Sequence, residues 1–71
     1  MDANEIRRRR EGIGITQRTL AGLLKVSFTA VYRWEKGDLV MGRKQVEKMH
    51  QVLGIYERHQ QRLQQDLAAL V

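Results

Sequence analysis

Ile15-Thr16-Gln17-Arg18-Thr19-Leu20-Ala21-Gly22-Leu23-Leu24-Lys25-Val26-Ser27-Phe28-Thr29-Ala30-Val31-Tyr32-Arg33-Trp34-Glu35-Lys36-Gly37 is the stretch that decides the fold of this chain. It reads as two short amphipathic helices joined by a three-residue turn. Thr16 stands ahead of the first helical run, where its hydroxyl can cap free backbone N–H groups. Leu20, Ala21 and Leu24 recur at i, i+1 and i+4, one face of a helix. Ala21 is small, which suits a close crossing by a second helix. Lys25 and Val26 follow, and Ser27 supplies the next cap. At about 100° per residue, Trp34 and Glu35 fall within about 60° of Val31. Thr29 and Arg33 lie on the opposite side, flanked by Tyr32 and Lys36. Val31 and Trp34 are therefore expected in the core, Thr29 and Arg33 at the surface. Spacing alone also fits a plain helical hairpin with a solvated polar face.

A second helix that begins at a cap and turns hydrogen-bonding side chains outward is how a helix-turn-helix presents itself to the major groove. The residues Ile15-Thr16-Gln17, Leu20-Ala21, Leu24, Val26-Ser27, Val31, Trp34-Glu35, Gly37 and the closing Val52-Leu53-Gly54-Ile55 carry a further likeness. In them the chain resembles the phage Cro and repressor type of helix-turn-helix domain, over roughly residues 4 to 55. The resemblance implies an all-α bundle of four to five helices that binds operator DNA, usually as a symmetric dimer. It places Ser27, Phe28, Thr29 and Arg33 at base edges or nearby backbone, and Gln17 on a phosphate. It also pairs Arg10 with Glu35 between the first and third helices. Arg18, Tyr32, Lys36 and Arg43 are the expected neighbours of the phosphates. Two positions depart from the family pattern. Lys25 stands in the turn where the family has glycine, and a left-handed non-glycine residue costs on the order of 1 kcal/mol. No proline follows Gly37; the chain there reads Asp38-Leu39-Val40-Met41-Gly42.

Seventy-one residues fit one small domain, near the size at which a single core is self-sufficient. Without cysteine there is no disulfide or thiolate metal site to help it. No apolar run approaches the roughly 20 residues of a membrane span, and no signal-peptide core opens the chain. The net charge is +5. Residues 1 to 36 hold eight Lys/Arg against four Asp/Glu, an excess of four, whereas the remainder holds five against four. The positive excess thus lies in the half where a polyanion would dock.

Asn4 is placed to cap a first helix from Glu5 to about Gly12, with Ile6 and Ile13 on its buried side. Arg7 to Arg10 is the one strong charge run. Four successive residues circle a helix, so they cannot all meet one partner; most are expected solvated or near phosphates. A fourth helix from about Arg43 to Leu53 should bury Val46, Met49 and Leu53, and Gly54 marks a stop or kink. Beyond it, Leu53, Tyr56, Gln60, Leu63, Leu67 and Leu70 alternate by three and four residues, a coiled-coil-like seam with one polar member. Such a stripe can dimerise, pack back on its own domain, or fray. The reading adopted is a domain over residues 1–54 and a dimerising amphipathic helix over 55–71, with Tyr56, Leu63, Leu67 and Leu70 at the interface.

Catalysis finds little support. His50 and His59 are nine apart and not on one helical face, and no metal-binding spacing accompanies them. Glu57 and Asp66 have no evident partner for acid–base work. No metal, cofactor or small-molecule ligand is expected. The expectation is a cytoplasmic, dimeric regulator of bacterial or phage type, no enzyme, whose partners are a two-fold symmetric double-stranded DNA operator and a second copy. An antitoxin or restriction-modification controller of the same fold, or an interaction module that no longer binds DNA, is the alternative.

Overall fold

Asp2, rather than Asn4, starts the first helix: its Oδ1 accepts the Glu5 N–H at 2.7 Å. Asn4 lies inside that first turn and instead accepts a bond from Arg7 Nη2 at 3.3 Å. In this computed structural model, which describes residues 1–70, α1 spans Ala3–Gly12, α2 Gln17–Leu24, α3 Phe28–Lys36 and α4 Arg43–Ala68. The fold is all-α, with no strand among the described residues. Val71, the end of the expected tail, lies outside them.

The first three helices stop in the same way. After α1, Ile15 N–H bonds to Arg10 O and Gly14 N–H to Glu11 O; after α2, Val26 bonds to Ala21 and Lys25 to Gly22; after α3, Asp38 bonds to Arg33 and Gly37 to Trp34. This paired closure satisfies carbonyls that the helix end leaves free, and it needs a left-handed residue at its pivot. Glycine fills that place at Gly14 (φ 75°) and Gly37 (φ 88°), but at the middle closure it is Lys25, with φ 58° and ψ 43°. The turn keeps its shape because Thr16 and Ser27 cap the neighbouring starts and Val26 packs on the core.

Ile6, Ile13, Leu20, Ala21, Leu24, Val31, Trp34, Met49 and Leu53 form one buried cluster drawn from all four helices and the end of α1. Val46 is half-buried at its edge rather than inside it. The stop or kink expected at Gly54 is absent: α4 runs 26 residues without a break, about 39 Å at 1.5 Å per residue. One glycine costs a helix interior only about 1 kcal/mol. Here tertiary bonds hold α4 beyond it, from Arg9 to Glu57 and from Gln60 to the Ile13 carbonyl. The helix therefore spans the division expected between residues 54 and 55.

Candidate nucleic-acid interface

The start of α3 is fixed by Ser27, whose Oγ accepts the Ala30 N–H at 3.1 Å, and the start of α2 by Thr16, which accepts from Thr19 at 3.0 Å. With its cap set, α3 turns Val31 and Trp34 into the core and leaves Phe28, Thr29, Tyr32, Arg33 and Lys36 exposed. Ser27 Oγ accepts the cap bond and keeps its O–H to donate.

Glu35 locks this helix to the other two. Its side chain is only 3% exposed, yet it is fully engaged. Arg10 Nε donates to Oε2 at 2.7 Å and Nη2 to Oε1 at 2.9 Å, while Gln17 Nε2 donates to Oε1 at 3.1 Å. Arg10 Nη1 also donates to the Ile15 carbonyl at 2.9 Å. Parallel guanidinium–carboxylate bonds are stronger than neutral ones and fix orientation as well. The Glu35 hydrogen bonds hold the Arg10 guanidinium charge more firmly than usual, against the opposing effect of burial. Gln17, expected on a phosphate, thus spends one amide N–H inside the protein and keeps one to offer outward.

Along the flank of α3, residues expected as separate contacts form one row. The Arg18 guanidinium, from α2, sits 4.7 Å from the Phe28 ring centre. Phe28 and Tyr32 have ring centres 6.2 Å apart, and Lys36 Nζ lies 5.8 Å from the Tyr32 ring. Cations attract ring faces, so each charge is steadied beside the exposed face of α3. The i, i+4, i+8 spacing of residues 28, 32 and 36 was the available signal; Arg18 had none. Lys36 also lies 3.6 Å from Asp38, and Arg43 3.7 Å from Glu47. These are exposed pairs, worth little in water, and a phosphate can replace either carboxylate. Arg33 has no ion pair among the described residues.

A family model described as Helix-turn-helix matches residues 6–59, most of the chain, with α2 and α3 at its centre. The chain belongs to the helix-turn-helix family of Cro and repressor type. Members of this family are DNA-binding transcription regulators, and the chain is one. Comparison with curated proteins and with solved structures yields no match.

Outside the helix-turn-helix, the remaining polar groups tie α4 to α1. Glu57, for which no acid–base partner was expected, takes two bonds from Arg9, Nε at 2.9 Å and Nη2 at 2.6 Å, as a structural ion pair. Those bonds draw its carboxyl below the usual carboxylate range. Arg9 Nη1 lies 2.9 Å from His50 Nδ1. No group of three His, Asp or Glu side chains among the described residues could hold a metal ion. No helix there is long and apolar enough to cross a membrane. Of the expected seam, Leu53 is in the core, Tyr56 packs against it, and Gln60 Nε2 donates to the Ile13 carbonyl at 2.8 Å. Leu63, Leu67 and Leu70 remain exposed, at 49%, 55% and 83%.

Proposed function

We propose that the chain is a sequence-specific repressor that binds a two-fold symmetric double-stranded operator as a homodimer, blocking a promoter near its own gene. The observation that carries this reading is the outer face of α3. Thr29 and Arg33 project from a helix held rigidly by the Glu35 bonds and by its buried Val31 and Trp34. Arginine pairs bidentately with guanine O6 and N7, and an aromatic or threonine methyl group suits a thymine methyl. Phosphate contacts from Arg18, Lys36, Tyr32 and Arg43 would position the helix without reading sequence.

Exposed Phe28 and Tyr32 are what favour an interaction module instead. Both rings lie beside cations, a pairing that suits a polyanion better than an apolar partner. An antitoxin or restriction-modification controller would use the same DNA-binding face. Dimerisation falls to Leu63, Leu67 and Leu70. Burying a leucine contributes about 1.5–3 kcal/mol, so their exposed fractions amount to roughly 3–6 kcal/mol per chain. Association costs an estimated 4–15 kcal/mol, which makes a weak dimer in solution, completed on two half-sites about 34–36 Å apart. Selecting duplexes from a random pool, followed by gel shifts on DNA flanking the gene, tests the reading. A symmetric consensus is expected; binding without sequence preference would overturn it.

A further inference from the structure

The four-arginine run separates by face. Arg10 is bound to Glu35 and Arg9 to Glu57, while Arg8 lines a groove between α1 and α4. Arg7 goes elsewhere. It stands at the rim of a depression of about 210 Å³ lined by Arg7, Arg10, Gln17, Tyr32, Glu35 and Lys36, where α1, the start of α2 and the flank of α3 meet. Three cations face one carboxylate there, and Glu35 is already neutralised by Arg10. The surplus is therefore Arg7 and Lys36. Arg7 has only the neutral Asn4 bond at 3.3 Å and no carboxylate partner among the described residues.

Placement gives this cleft its ligand. At about 100° per residue, Tyr32 lies about 100° around α3 from Arg33 and about 60° from Thr29, and Lys36 about 60° and about 20°, both displaced to the same side. If Arg33 and Thr29 face the groove floor, that flank faces the sugar–phosphate wall. The cleft then offers two cations, the second amide N–H of Gln17 and the Tyr32 hydroxyl, all donors. Its volume is that of several water molecules at about 30 Å³ each, room for a tetrahedral oxyanion.

We propose that this cleft seats one backbone phosphodiester of the bound duplex, with Arg7 as its uncompensated cation, so that α1 joins the DNA interface. The assignment rests on the reading that α3 enters the major groove. It is tested on the full chain with Arg7→Gln and, as control, Arg8→Gln. Kd is measured against salt on a selected operator and on a scrambled duplex, with ethylation interference to locate each phosphate. Arg7→Gln should lower the slope of log K against log salt by about 0.9 per bound chain on both duplexes, and one phosphate per half-site should lose its interference. Arg8→Gln should keep the wild-type slope and pattern. If the wild type binds and Arg7→Gln retains the full slope, the cleft is empty of DNA and the proposal is overturned alone. If the wild type binds no duplex, the operator reading falls and takes the cleft with it.

Discussion

Replacing Glu35 with alanine removes the acceptor that Arg10 and Gln17 share through three bonds. Arg10, 11% exposed in the intact protein, keeps one hydrogen bond, to the Ile15 carbonyl, and a looser ion pair with the exposed Glu11 at 3.8 Å. Breaking a buried pair by deleting one partner costs about 3–5 kcal/mol, because the survivor keeps a desolvated charge. Arg10 can swing its guanidinium toward water, which argues for the lower end, about 3 kcal/mol. A domain of this length holds roughly 4–10 kcal/mol of total stability, so the loss is large. Glu57→Ala is the comparison, since Glu57 also takes two arginine bonds but is 38% exposed. An exposed pair contributes at most about 1 kcal/mol. Urea titration followed by far-ultraviolet circular dichroism should therefore separate the two variants by about 2 kcal/mol. Arg10→Met with Glu35→Leu should recover much of the loss, because apolar replacement leaves no orphaned charge. Equal losses for the two single variants would refute the assigned importance of the buried pair.

Lys25→Gly relieves the left-handed strain of the turn and should raise stability by up to about 1 kcal/mol in the same titration; a loss would mean the lysine side chain supports the turn. Glu57 has its pKa lowered in the folded state by Arg9, so its contribution is present above the ordinary value of about 4.3 and fades as pH falls below it. Wild type should thus lose more stability than Glu57→Gln between about pH 5 and 3, by less than about 1 kcal/mol given its exposure, and parallel melting curves would count against the pair. Truncation after Gln61 spares the Gln60 bond and the Tyr56 packing while removing Leu63, Leu67 and Leu70. The shortened chain should sediment as a monomer at concentrations where the full chain begins to pair, with unchanged helix content per residue; an undiminished dimer would place the interface elsewhere.

Helices α2 and α3 were readable from the sequence because caps, periodicity and the small Ala21 agree locally. The left-handed Lys25 was legible only through the family resemblance, which has a left-handed glycine at that turn. What was not readable depended on distance along the chain. Glu57 lies 48 residues from Arg9, and Gln60 lies 47 from Ile13, so neither pairing leaves a local trace. Those two links carry α4 past Gly54, where glycine alone suggested a stop. They also turn half of the supposed dimer seam inward. Asp2 and Asn4 are both good caps one turn apart, and only the backbone path chooses between them. At the interface, residue types and outward placement were legible. The cation–ring row and the cleft that gathers Arg7 needed the crossing of three helices.

The central claim is that the outer face of α3 reads bases, and Arg33 is its sharpest element. The deciding measurement is the affinity of wild type and Arg33→Ala for a selected operator and for every single base-pair substitution in one half-site. Wild type should discriminate at a G·C pair by roughly 1–3 kcal/mol, about 5- to 150-fold. Arg33→Ala should flatten preference at that pair and leave the others intact. A variant whose whole preference profile matches wild type would contradict base reading by this face of α3.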